Sequence, residues 1–351
     1  MHMADALLAP AVATTMYATS AVAAGYSVYK LNDEKNADRL PVMGVMSAFV
    51  FAGQMINFTI PATGSSGHLC GGMMLSALIG PEAGFLSMIA ILLIQCLLFA
   101  DGGIMALGAN AWNMAFYGCF IGYYLIYRPI MKSKIVNPKL KITLASVIGC
   151  IVTLQMGAFS VCLETSASKI TALPLGAFAA IMQPIHLAIG LVEGLITAAV
   201  LNFVYSARPE MITSVYEDRK SSLSDSKKFS PKKVVVILGI MSLLIAGIGS
   251  LFASDKPDGL EWSLFGNAEE GYSSNMGLDE EDYGISAELS AANEKAAAIQ
   301  EKTALLPDYA FASNPDNIAG TSFSGIIGSA VVGCVAALIC FVGGVLRKKK
   351  L

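Results

Sequence analysis

Long apolar runs make up most of this chain: roughly 6–29, 41–60, 69–79, 83–100, 105–127, 142–163, 174–205, 234–252 and 325–346. Most reach the about 20 residues that a helix needs to cross a bilayer's hydrocarbon core. Inside lipid every backbone N–H and C=O must find a partner within the protein, so runs of this length fold as helices. Only 14% of the 351 residues are charged, 55% are hydrophobic, and mean hydropathy is +0.61. A soluble domain carries about 25% charge. The expected class is an all-α integral membrane protein lodged in the lipid bilayer of the cell membrane.

Charge gives the runs a direction, because Lys and Arg collect in short cytoplasmic loops. Arg128, Lys132, Lys134, Lys139 and Lys141 share one loop with no acid. Arg208, Arg219, Lys220, Lys227, Lys228, Lys232 and Lys233 share another, and the chain ends Arg347-Lys348-Lys349-Lys350-Leu351. All three are expected inside. Nothing basic precedes the first run, whereas Lys30, Lys35 and Arg39 follow it. That places the N-terminus outside and argues against a signal peptide, which opens on a basic segment. Run two returns outward at Pro61, and the fifth run must start outside to finish at Arg128. Parity then requires the short run Leu69–Ile79 to cross as well, turning at Gly80-Pro81, for nine helices in all.

Residues 253–323 hold 14 acids against three lysines and lie between the last two runs, outside. Within them Leu289–Leu305, rich in Ala, Glu and Lys, is expected to form a surface helix. The expected division is a seven-helix membrane domain over 1–206, a polar cytoplasmic linker over 207–232, and an accessory domain over 233–351 whose two transmembrane helices flank the acidic segment. The cysteines lie mostly inside apolar runs with no CxxC spacing and read as core thiols.

This topology puts His2 and His68 on the same, outer side. A histidine at position two has special chemistry: the terminal amine of Met1, the amide nitrogen of His2 and its ring Nδ1 can close two adjacent chelate rings. Three nitrogens then lie nearly in a plane, and planar nitrogen sites suit Ni(II) or Cu(II). His68, in the glycine-rich loop Gly64-Ser65-Ser66-Gly67-His68-Leu69-Cys70-Gly71-Gly72, is a candidate fourth nitrogen. On these residues alone an incidental His after the first Met and a solvated loop His are the more ordinary reading.

Five blocks carry a resemblance: Met1-His2 with Asp5 and Pro10; Phe51-Ala52 with Gln54-Met55-Ile56-Asn57-Phe58; Gly64-Ser65-Ser66-Gly67-His68-Leu69; Phe99-Ala100-Asp101-Gly102-Gly103 with Leu107-Gly108-Ala109-Asn110; and His186-Leu187-Ala188-Ile189-Gly190 with Glu193-Gly194-Leu195-Ile196-Thr197. Together they resemble the substrate-binding subunits of energy-coupling-factor importers for cobalt and nickel, the CbiM/NikM family. Pro257-Asp258-Gly259-Leu260-Glu261-Trp262 is similar to the signature of the small accessory subunit of such importers, here in the same chain. Ala6 and Cys70 stand where the family commonly has Gly, and Cys70 adds a soft group near the proposed site. The resemblance implies a seven-helix subunit whose extra N-terminal helix brings residue 1 outside. It implies the Met1 amine, the His2 amide and ring, and His68 as metal ligands. It also implies a transported nickel or cobalt ion, a transmembrane coupling subunit and separate ATP-binding cassette ATPases as partners.

Other positions support or compete with this reading. Gln54 and Asn57 are expected to hydrogen-bond the His68 loop rather than touch metal, and Ser65 and Ser66 are candidates for a supporting or relay role. His186 and Glu193 lie seven residues apart on one face of a membrane helix, where ionisable groups are costly. They read either as a support or relay for the site or as a mutually satisfied pair. Glu164 and Asp101, at outward helix ends, are expected to be partly solvated. Gly44, Ala48 and Ala52 form a small-residue stripe, a candidate contact for the coupling subunit or an internal packing face. No GxxxxGK[ST] loop is present, so ATP hydrolysis is assigned to partners. No HExxH or GxSxG occurs, which argues against a protease, and the basic loops give no reason to expect nucleic acid. A stand-alone secondary transporter or channel, with His186 and Glu193 as relay, is the rival of another class. A metalloenzyme using His68 and His186 is a third.

Overall fold

A computed structural model describes residues 1–31, 40–171, 173–212, 231–273, 291–314 and 317–348. Its first helix, α1, is Pro10–Leu31, followed by α2 (Leu40–Gln54), a hairpin of β1 (Phe58–Ile60) and β2 (Ser65–Gly67), α3 (Gly72–Ile79) and α4 (Pro81–Phe99). Leu107–Asn110, Ala111–Tyr127 and Arg128–Met131 run on as one helix, α5, the middle part wound as a π-helix. Then come α6 (Pro138–Ser168), α7 (Leu175–Ala207) and α8 (Pro231–Gly247). Short α9 (Gly259–Phe265), the strands β3 (Gly266–Asn267) and β4 (Tyr272–Ser273), and α10 (Ala291–Thr303) precede α11 (Ile318–Lys348). Among the described residues the nine apolar runs thus appear as nine helices in order, α1–α8 and α11. The protein is an all-α membrane protein. Four helices, in α4, α6, α7 and Ile318–Ile339 of α11, are long and apolar enough to cross by length and composition. The linker expectation falls mostly on 213–230, outside the described residues.

Boundaries follow from local chemistry. Pro138 opens α6 behind Asn137, whose side chain accepts from the N–H of Lys139 at 3.0 Å, as an N-cap should. Gly80, at φ 92°, makes the reversal between α3 and α4, with Pro81 at the first position of α4.

The short run departs from a full transmembrane helix. Only eight residues of it are helical, about 12 Å, and all eight are buried. Residues 68–71, without regular secondary structure, lead to it, and Gly71, at φ +83°, starts the helix in the left-handed region. Just before the helix the buried N–H groups of Cys70 and Gly71 also need partners, and Glu193 of α7 supplies them, accepting from Cys70 N at 3.0 Å and Gly71 N at 2.9 Å.

The two sequence-defined parts share one core. Buried Met43, Met46 and Phe51 of the first part join Val234, Leu238, Val332 and Ala336 of the second. An added Cβ on Gly44 would stand 2.8 Å from the carbonyl oxygen of Gly333, and one on Gly333 would stand 3.5 Å from the Cβ of Ala48. The stripe of Gly44 and Ala48, with Ala52 wholly buried, therefore packs inside this chain, and the coupling-subunit reading of it is corrected. The reason is α11, whose Gly333 lies 289 residues after Gly44 and which the fold lays along α2.

Candidate metal site

The N-terminal residues are threaded into the bundle rather than left free. Met3 donates its N–H to Asn110 Oδ1 at 2.8 Å, and its carbonyl accepts from Gly103 N at 2.9 Å and Asn110 Nδ2 at 3.2 Å. Asp5 Oδ1 accepts from Ala106 N at 2.9 Å. These bonds tie the segment to the α4–α5 connection and the start of α5. The side chain of Met1 is buried, its methyl end near Gly157 of α6.

The terminal amine of Met1 lies 3.2 Å from His68 Nε2. Metal–nitrogen bonds of about 2 Å put adjacent corners of a square about 3 Å apart, so these two nitrogens stand as neighbouring corners would. The rings of His2 and His68 stack at 5.3 Å between centroids, 18° from parallel. The His2 ring nitrogens, however, are engaged elsewhere: Nδ1 is 3.0 Å from Asp101 Oδ1, and Nε2 is 3.2 Å from Gln95 Oε1. Closing the chelate requires that ring to swing toward its own amide. Among the described residues no group of three or more His, Cys, Asp or Glu side chains is arranged to hold a metal ion. An ion bound here would need the main-chain nitrogens.

Supporting groups reach the site from several helices. Gln95 Nε2 donates to Gln54 Oε1 at 3.0 Å, and Gln54 Nε2 donates to Cys70 O at 2.7 Å. With Glu193 on the N–H of Cys70 this makes a polar line from the His2 ring to the His68 loop. Gln95 was missed in the sequence, although a lone amide in an apolar run is a readable signal. Asn57 supports the surroundings through its carbonyl, which accepts from Ser254 N at 2.8 Å. Ser65 and Ser66 bind the accessory segment: Ser66 N donates to Pro257 O at 2.8 Å, and Ser66 Oγ donates to Lys256 O at 2.7 Å. His186 and Glu193 do not pair, so that reading is corrected. Glu193 is spent on two backbone N–H groups, and His186 Nδ1 donates to Met182 O at 2.8 Å. His186 Nε2, buried, has no partner among the described residues and lines a small cavity with Met1, His68, Cys70 and Asp258. Glu164 is buried rather than solvated, accepting from Asn113 Nδ2 at 2.7 Å.

The residue that sequence reasoning left without a role is Asp258. Its Oδ2 forms an ion pair with the Met1 amine and lies 3.7 Å from His68 Nε2. Burial lowers the proton affinity of the amine, but Asp258, with help from Asp101, outweighs it and raises the amine's pKa above 8.0. Burial opposes the charge of Asp258, yet the amine and His68 hold its carboxyl well below the usual range. Burial and then the amine push the His68 imidazole down. Glu261, beside Asp258, is pushed up to about 7, first by that carboxylate and then by burial. A cavity of about 450 Å³ opens beside His2 and His68, lined also by Asp5, Asp101, Asp258, Glu261, Asp308 and Tyr309.

Residues 2–211 match the family described as "Cobalt uptake substrate-specific transmembrane region", CbiM, and residues 232–344 match the PDGLE domain. A protein of Archaeoglobus fulgidus provisionally named fused nickel transport protein NikMN is 34% identical over 337 residues, 95% of each chain. The cobalt transport protein CbiM of Sorangium cellulosum is 31% identical over 192 residues, 54% of this chain and 84% of its own. A crystal structure of a truncated transition metal transporter superposes with a TM-score of 0.52 at 33% identity, covering 59% of this chain and 99% of that one. The chain belongs to the CbiM family of cobalt-uptake substrate-specific transmembrane proteins, with a PDGLE domain carried in the same polypeptide.

Proposed function

We propose that this chain is the metal-capturing subunit of an ATP-driven energy-coupling-factor importer and that its ion is Ni(II). The ion is taken at the outer face by the Met1 amine, the His2 amide and ring Nδ1, and His68 Nε2, in a square plane. One observation carries the reading: a terminal amine from residue 1 and a ring nitrogen from residue 68 stand 3.2 Å apart in the interior. Relatives named for nickel transport and for cobalt transport support the substrate class. The tilt to nickel is chemical, since planar nitrogen sites suit a d⁸ ion. Co(II) at the same ligands is the close alternative. Energy is assigned to a transmembrane coupling subunit and ATP-binding cassette ATPases on separate chains.

The secondary-transporter reading loses its relay, because His186 and Glu193 make no bond to each other and Glu193 is committed to backbone. The test of the capture site is His68→Ala in the full chain. Nickel binding should collapse and the visible band of a planar low-spin Ni(II) complex should vanish. Binding like the unaltered protein's would reject the ligand set.

A further inference from the structure

The accessory segment reaches the proposed ligands themselves. Asp258 stands at the N-cap of α9, where Oδ1 accepts from Leu260 N at 2.7 Å and Glu261 N at 3.0 Å. Glu261 returns the favour, accepting from Asp258 N at 3.1 Å, and this reciprocal box fixes the rotamer of Asp258. Its other oxygen is thereby aimed at Met1. The carbonyls just before it, of Lys256 and Pro257, are held by Ser66 in the hairpin that leads into His68. An added Cβ on Gly259 would stand 3.0 Å from His186 Cε1 and 2.9 Å from Ile189 Cδ1, so a larger residue here would crowd those side chains of α7. Each residue of Pro257-Asp258-Gly259-Leu260-Glu261 thus serves one placement, that of a single carboxylate oxygen beside the terminal amine.

We propose that Asp258 is a positioning residue of the capture site, one that residues 1–211 do not themselves contain. It holds the Met1 amine beside His68 before the ion arrives, and its negative charge then faces the incoming dication. An untied chain end would have to be ordered at each capture, at a cost in backbone entropy. Here Asp258 fixes the first residue and Asn110 and Gly103 fix the third. The proposal rests on the ligand set given above as the proposed function.

The test separates shape from charge. Asn caps a helix about as well as Asp, so Asp258→Asn keeps α9 in place and replaces the charged oxygen beside the amine with an uncharged NH2 group. Groups that orient metal ligands are worth about 10–100-fold in metal affinity. For the full chain in detergent with nickel(II) chloride alone, Asp258→Asn should bind about 10–100-fold more weakly. The visible band of the bound state should be unmoved, because the ligands are unchanged. Asp258→Glu, which keeps the charge on a longer arm, should recover part of the loss. Glu270→Gln, which cuts the surface pair with Lys256, should bind like the unaltered chain. Unchanged or tighter binding in Asp258→Asn, with His68→Ala inactive, would overturn the positioning role and leave the ligand set standing. If His68→Ala also binds normally, the ligand set fails first.

Discussion

The carboxylate of Glu193 accepts the N–H of Gly71, 122 residues earlier in the chain, at 2.9 Å. It also takes the N–H of Cys70, so one side chain of α7 fixes the point where the His68 loop turns into α3. Replacing Glu193 with Ala orphans two buried donors, each costing about 1–3 kcal/mol. Glu193→Ala should lower the thermal midpoint in detergent, by a loss of about 2–6 kcal/mol, and should weaken nickel binding with it. Lost binding at unchanged stability would show a direct role for Glu193 instead.

The N-terminus offers a sharper chemical test. Adding one residue before Met1 turns the amine into a peptide nitrogen and breaks the first chelate ring. Met1 is also 4% exposed, so the added residue has no ready place. Binding should fall by more than the about 100-fold that loss of a supporting group costs a metal site. A C-terminal tag should have no effect. Calorimetry on both proteins decides it, and undiminished nickel affinity in the extended chain would sink the amine as ligand.

Protons should leave as nickel enters. The amine pKa is raised above 8.0 by Asp258 and Asp101 in spite of burial, so at pH 7 the ion must displace a proton from it. Affinity should therefore climb with pH until the raised amine pKa is passed. Calorimetry in two buffers of different ionisation heat counts the protons released. Without metal the sign differs for each group. The raised amine stabilises the fold below about pH 8 and loses that contribution as pH rises through its folded pKa. The depressed Asp258 stabilises above about pH 4 and loses its share as pH falls toward its own folded pKa. The ion pair of these two groups should contribute in full only between these limits.

Packing between α2 and α11 predicts a different pattern. Gly44→Val must displace the backbone of Gly333, an overpacking worth about 1–3 kcal/mol. Thermal stability and nickel binding should decline together. A variant that bound nickel normally and was stable, yet failed in uptake with its partners, would return this stripe to the coupling interface.

Orientation is open to labelling. In a variant lacking native cysteines, Glu270→Cys on the accessory segment should react with an impermeant maleimide on intact cells. Val136→Cys, 95% exposed between α5 and α6, should react only after permeabilisation. The reverse pattern would invert the proposed topology.

The order of helices was legible because lipid leaves a segment few choices: apolar length and the Lys/Arg loops settle most of it. His2 and His68 could be paired because parity put both on one side. The shortness of α3 was not legible, because it depends on Glu193 reaching Cys70 and Gly71 from a distant helix. Burial of Glu164 was hidden likewise, since Asn113 satisfies it across α5 and α6. Asp258 could be read as part of a signature and still yield no role, because its partner is the chain's opposite end. The stripe on α2 showed that a helix would approach closely, but small residues do not say which helix.

Ser66 grips the carbonyls of residues 256 and 257 with an N–H and a hydroxyl, adding short polar bonds to the apolar packing that joins the accessory segment to the first part. Such contacts are weak between separate molecules, which must give up translational freedom to form them. Carried on one polypeptide, they form at an effective concentration set by the tether, of millimolar order for short flexible linkers. Asp258 therefore cannot be diluted away from Met1. Its availability to the ion is independent of how much of the protein a cell makes.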